Sequence, residues 1–140
     1  MRISCLQYTA EPDLDLSESR LYPLLDEAVA ARASVALLPE CALFLSSDQA
    51  MSRAHALAID SPQVERLRTY ASTHRITLIV GSLIMQIDDQ ILNRTLVIDA
   101  EGQIQTSYDK IHLFDVDLAS GESYRESALF DAGTHPQLTQ

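Results

Sequence analysis

Val35-Ala36-Leu37-Leu38-Pro39-Glu40 is the stretch on which the fold turns. Four apolar residues in a row read as a strand buried on both faces, as strands of a parallel sheet are. Pro39 ends the run, and Glu40 stands just past its carboxyl end, where open α/β sheets place their ligands. Upstream, Leu21, Leu24, Leu25, Ala28 and Val29 recur at helical spacing. Asp15 and Glu18, three residues apart, predict a carboxylate capping box at the start of that helix. Pro23 predicts either that the helix begins there or that it kinks there. Residues 2–8 alternate loosely and break at Thr9-Ala10-Glu11-Pro12, which reads as a strand and a loop. Strand, helix and strand within 38 residues make a βαβ unit, and the fold class is α/β.

Downstream, Gln49–Leu57 predicts a short helix. Ser61-Pro62 starts a longer one, with Val64, Leu67 and Ala71 as its buried stripe. The β-branched run Ile76–Ile84 reads as a central strand. Asp88-Asp89 turns the chain into a strand over Ile91–Ile98, and Ala100-Glu101-Gly102 turns it into another over Ile104–Tyr108. These three predict an antiparallel extension of the sheet. Beyond Lys110 the periodicity stops, with Leu129-Phe130 the one apolar cluster in residues 113–140. So long a structureless stretch is unusual in a whole domain. Residues 1–140 therefore read as an incomplete domain.

The bulk numbers exclude several classes. A hydrophobic fraction of 46% supports a real core, while no apolar run approaches a bilayer span. The first eight residues are too short and polar for a signal peptide, so a cytoplasmic location is expected. A net charge of −10 repels a phosphate backbone and argues against nucleic acid as a partner. The two cysteines, Cys5 and Cys41, form no CxxC pair, which argues against a zinc site or a disulfide framework.

Two residues stand out chemically. Glu40, desolvated at a strand mouth, is expected to have a raised pKa and to be usable as a general base; the alternative is a solvated loop glutamate. Lys110, within Tyr108-Asp109-Lys110-Ile111-His112-Leu113-Phe114-Asp115, could stabilise an oxyanion, or simply keep a sheet edge soluble. His112 with Asp115 and Asp117 lacks a second histidine at ligand spacing, so no metal is expected and His112 reads as structural or positioning. Cys41 adjoins Glu40, but continued strand geometry would point the two side chains to opposite faces. Cys41 and Cys5 both read as small buried hydrophobes.

Together these segments resemble the nitrilase superfamily of carbon–nitrogen hydrolases. Leu37-Leu38-Pro39-Glu40 is similar to the motif carrying the family's glutamate base, and Tyr108–Asp115 to the motif carrying its lysine. Gly121-Glu122-Ser123-Tyr124-Arg125-Glu126-Ser127 resembles the loop that supplies a second glutamate, matched best by Glu126 and less well by Glu122. Asn93-Arg94 also fits. The likeness is greatest to the amidase-like branch around omega-amidase and deaminated-glutathione amidase.

The resemblance implies a mixed sheet flanked by helices, the N-terminal half of a four-layer αββα sandwich. It implies catalysis by Glu40, Lys110 and Glu126 with a nucleophilic cysteine lying beyond Gln140. It also implies a small-molecule amide substrate, no cofactor, and a homo-oligomer in the full-length protein. A different class of reading is a non-catalytic structural or interaction remnant of the same fold. An unrelated doubly wound ligand-binding domain is disfavoured, because no Gly-rich phosphate loop follows the first strand.

Overall fold

The computed structural model describes residues 1–139. One five-stranded sheet runs in the order β1 (Ile3–Cys5), β2 (Val35–Leu37), β3 (Thr77–Ile87), β4 (Gln90–Ile98), β5 (Ile104–Asp109). The pairs β1–β2 and β2–β3 are parallel, while β3–β4 and β4–β5 are antiparallel. The expected mixed sheet is therefore present, with its antiparallel extension on one side. Helices α1 (Leu14–Ala30) and α3 (Pro62–His74) are the two long ones, and α2 (Gln49–Ala54) is short. Among the described residues no helix is long and apolar enough to cross a membrane.

Helix α1 starts earlier than the sequence suggests. Asp13 is the cap, its carboxylate accepting from Leu16 N at 2.9 Å. Glu18 does not reach back to a cap. It is buried and forms a two-pronged pair with Arg66 of α3, at 2.9 and 2.6 Å, which ties the two helices together. Pro23 lies inside α1 and does not end it. The carbonyl that loses its helical donor belongs to exposed Ser19, where water can serve it.

The register separates the two faces of the sheet. Ser4, Ala36, Leu78, Ile98 and Ile104 stand side by side. Ala36, Leu78 and Ile98 join Leu21, Leu25 and Ala28 of α1 and Val64, Leu67 and Ala71 of α3 in one core. The neighbouring row, Cys5, Leu37, Ile79 and Val97, points the other way. Neither helix packs on that row, so Leu37 is 36% exposed and Cys5 is exposed. This corrects two expectations: β2 is buried on one face only, and Cys5 is not a buried hydrophobe.

The tail after Lys110 is also more ordered than its sequence suggests. β6 (Asp115–Asp117) and β7 (Ser123–Arg125) pair antiparallel, and a single 3₁₀ turn spans Glu126–Ala128. Strands of three residues are too short to show a period. Side chains hold this hairpin instead: Arg125 and Ser123 donate to Asp117, and Ser127 donates to Asp115. Leu129 and Phe130 then bury against Cys41, Phe44, Ile84 and Ile91.

Candidate active site

The site begins with a defect in β3. Register shifts between Val80 and Leu83, so Gly81 and Ser82 form a bulge opposite Thr95 of β4, whose hydroxyl donates to Gly81 O. Gly81 is required there because a Cβ would lie 2.1 Å from the Leu38 carbonyl oxygen. That close approach lets the bulge carry the turn after β2. Ser82 N donates to Pro39 O, Cys41 N to Ser82 Oγ at 2.9 Å, and Ala42 N to Ser82 O at 2.8 Å. From the other side Tyr8 Oη donates to Ala42 O at 2.6 Å. Glu40 thus projects from a turn pinned on both sides.

Lys110 is pinned in the same way. Its N–H donates to Asn93 O at 3.0 Å, and its carbonyl accepts from Gly133 N at 2.9 Å. Arg94 and Asp109 form a two-pronged pair at 2.6 and 2.8 Å just before it, fastening β4 to β5. Glu126, at the first residue of the 3₁₀ turn, accepts from Phe114 N at 2.6 Å.

The three side chains meet. Lys110 Nζ lies 2.9 Å from Glu40 Oε1 and 2.9 Å from Glu126 Oε2. Glu122 is elsewhere, exposed in the hairpin and accepting from Ser120 Oγ. Asn93, 3% exposed in β4, donates from Nδ2 to the same Glu40 Oε1 at 2.8 Å. Reasoning from the sequence assigns Asn93 no role. The available signal is a polar amide inside the apolar run Ile91-Leu92-Asn93, which a folded chain tolerates only when it is bonded.

The electrostatics correct the expected pKa of Glu40. Partial burial does push it upward, but hydrogen bonds from Lys110 and Asn93 and the ammonium charge outweigh that and leave it lowered. The carboxylate keeps 55% of its side-chain surface exposed, so the upward pull of burial is incomplete. For Lys110, desolvation pulls downward, and the hydrogen bonds and charges of Glu126 and Glu40 more than offset it, leaving its pKa raised. The ammonium is firmly protonated at neutral pH, poised as a donor and unfit as a base.

Cys41 does not follow the strand geometry assumed for it. β2 ends at Leu37, and Cys41 has φ 51° in the turn. Its thiol lines a cleft of about 660 Å³ together with Ile84, Phe114, Tyr124, Glu126 and Phe130. Burial, then the charge of Glu40, push its pKa up to about 11. A thiolate there is disfavoured. The two carboxylates considered beside His112 are occupied by Ser127 and Arg125, and His112 itself is exposed. Among the described residues no cluster of three or more His, Cys, Asp or Glu is placed to hold a metal. A more open groove on the outer face of α1 and α3, lined by Tyr22, Arg66, Tyr70 and His74 among others, shares no residue with this cleft.

Comparison with known proteins finds relatives in sequence and in fold. Deaminated glutathione amidase from Dictyostelium discoideum is 32% identical over 141 residues, covering 94% of this chain and 48% of that protein. The crystal structure of the Caenorhabditis elegans NitFhit protein superposes with a TM-score of 0.85 at 28% identity, covering 94% of this chain and 33% of that one. A mutant of the amidase from Nesterenkonia sp. AN1, with acrylamide added at its active-site cysteine, superposes with a TM-score of 0.73 at 26% identity, over 97% of this chain and 51% of that one. The chain thus spans about half the length of the deaminated glutathione amidase it matches. The carbon–nitrogen hydrolase family matches residues 2–140, effectively the whole sequence, and the chain belongs to that family.

Proposed function

We propose that this chain carries the base and the oxyanion-stabilising half of an amidase-type site, and that the nucleophile is a cysteine encoded beyond Gln140. The observation that carries the reading is the lysine held between two carboxylates, with Nζ 2.9 Å from both Glu40 and Glu126. One ammonium between two carboxylates stays charged, and one of its three N–H bonds remains for a third acceptor. Cys5 and Cys41 are poor candidates: Cys5 lies on β1 in the uncovered row of the sheet, and the Cys41 thiol is pushed up to about 11. The active-site cysteine of the Nesterenkonia amidase supports giving the nucleophile's role to a cysteine.

In this scheme Glu40 takes the thiol proton as sulfur attacks the carbonyl carbon of a small amide. The C–O π electrons move onto oxygen, and the free Lys110 N–H stabilises that oxyanion. Collapse expels the amine, which receives the proton from Glu40, and leaves a thioester. Water, deprotonated by Glu40, then attacks the thioester, releasing the carboxylic acid and restoring the thiol. Glu126 acts by holding Lys110, itself fixed by the Phe114 N–H. Assembly of the whole protein into a homo-oligomer belongs to the same proposal.

Ammonia release from a small omega-amide such as succinamate tests the reading in a protein that continues past Gln140. Glu40→Gln and Lys110→Met should each lower kcat/KM by about 100-fold or more, and the 140-residue chain should be inactive. Activity in the 140-residue chain that Cys41→Ala abolishes would overturn the assignment of the nucleophile. Absence of hydrolysis at any chain length, with the fold intact, would favour a non-catalytic module.

A further inference from the structure

We propose that Asn93 is a positioning residue that captures one oxygen of the Glu40 carboxylate, so that the other is left as the proton acceptor. The inference rests on the amidase reading for what Glu40 does, and on geometry alone for how Glu40 is held. Glu40 Oε1 accepts two hydrogen bonds, from Asn93 Nδ2 at 2.8 Å and from Lys110 Nζ at 2.9 Å. No hydrogen bond reaches Oε2 among the described residues. A carboxylate bound by one oxygen to two fixed donors has its plane and its free lone pairs set before any substrate arrives.

Two features make Asn93 more than an incidental neighbour. It is 3% exposed within a strand, between Leu92 and Arg94, and a buried amide that is not hydrogen-bonded destabilises the fold. Its side chain is therefore retained at a cost that the bond to Glu40 offsets. Its backbone carbonyl also accepts from Lys110 N at 3.0 Å. One residue thus sets the base through its side chain and the lysine through its main chain. A shift of Asn93 along β4 would displace both together.

The arrangement also explains why Lys110 alone does not suffice. The ammonium is shared with Glu126, at 2.9 Å, and sits on a flexible stem. If Lys110 turned toward a developing oxyanion, Glu40 would lose its only other partner but for Asn93. The amide keeps the carboxylate in place while the lysine is engaged elsewhere. The charged and titratable groups around Glu40 are Lys110 from the end of β5, Glu126 from the 3₁₀ turn and the Cys41 thiol beside it.

The test is read on the 140-residue chain and needs no activity. The Glu40 carboxyl carbon, assigned by its loss in Glu40→Gln, is titrated by NMR in the wild type and in Asn93→Leu. The Asn93 side-chain NH₂ signals are followed in the wild type through the same pH range. Loss of the donor removes a lowering influence, so the Glu40 midpoint should rise by about one pH unit in Asn93→Leu. In the wild type the NH₂ signals should shift at the Glu40 midpoint and stay flat in Glu40→Gln. This second measurement needs no variant at position 93, so poor folding of Asn93→Leu does not remove the test. NH₂ signals that stay flat through the Glu40 titration in the wild type would overturn the proposal. So would an unchanged Glu40 midpoint in a folded Asn93→Leu. In the longer protein, the acid limb of kcat/KM should move up in step with the Glu40 midpoint, which a merely structural asparagine would not cause. If Glu40→Gln left hydrolysis intact there, the base reading would fail while the NMR result still decided who holds the carboxylate.

Discussion

Replacing Gly81 by alanine tests whether the bulge in β3 is what places Glu40. In a strand, glycine is ordinarily a liability, and alanine would be expected to gain about 0.5–1 kcal/mol. Here the new Cβ would sit 2.1 Å from Leu38 O and 2.9 Å from Pro39 O, both backbone atoms that cannot rotate away. Relief requires the segment after β2 to retreat by about 1 Å. The bonds Leu38 N→Ile79 O, 2.9 Å, and Ser82 N→Pro39 O, 3.3 Å, bracket the clash and would be stretched beyond useful range. Two weakened backbone bonds at about 1 kcal/mol each, with about 1–2 kcal/mol of overpacking, give a loss of about 3–4 kcal/mol. At roughly 3 °C per kcal/mol for a chain of this size, Tm should fall by about 9–12 °C. Gly121→Ala is the control: nothing lies within 4 Å of its Cβ, and only its φ of 92° is unfavourable. Thermal unfolding of both variants decides the matter. Gly81→Ala within about 1 °C of wild type, or less harmful than Gly121→Ala, would refute the steric argument.

Three further outcomes follow from the geometry. Arg66→Met should destabilise more than Glu18→Gln, by about 1–2 kcal/mol in chemical unfolding, because it strands a buried carboxylate whereas Glu18→Gln strands a guanidinium that is 45% exposed. The carboxyls of Asp115 and Asp117 are held low, the first by Ser127 and the second by Arg125 and Ser123, so both stabilise the hairpin above the unfolded carboxyl pKa of about 4. That support is lost as pH falls through their lowered native values, and hydrogen exchange in β6 and β7 should accelerate there while α1 and α3 stay protected. The uncovered sheet row, with Leu37 36% and Ile3 52% exposed, should drive self-association of the 140-residue chain, and sedimentation should show less of it in Leu37→Lys.

Where local chemistry decides, the sequence is legible. Ser61-Pro62 opens α3 with Ser61 accepting from Val64 N, because a hydroxyl before a proline can serve only one end of a helix. Asp88-Asp89 makes the β3–β4 turn with Asp88 at φ 53°, a region that aspartate enters more readily than most residues. Misreadings arise where a distant partner decides. Glu18 looks like a cap residue three positions after Asp15, yet its partner is Arg66, which no local spacing announces. Gly81 looks like one more residue of a long strand, although a glycine in such a run is itself a sign of a bulge or of close backbone approach. The β6–β7 hairpin leaves no periodic trace, since its order comes from aspartates bonded across it.

The same division explains the site. Glu40 is recognisable because strand ends in α/β sheets are where side chains can converge, and its position on the chain fixes that much. Its protonation is another matter. Local reasoning counts the water a carboxylate loses, and so predicts a raised pKa; it cannot count an ammonium 70 residues away and an amide 53 residues away, which reverse the sign. Cys41 shows the converse. Its neighbour in sequence is the carboxylate, which pushes the thiol upward, so adjacency to Glu40 makes a thiolate harder to form there. A thiol that must be a thiolate to attack is ill served by burial and by a carboxylate next to it, and that is the reason to look for the reacting sulfur in another segment.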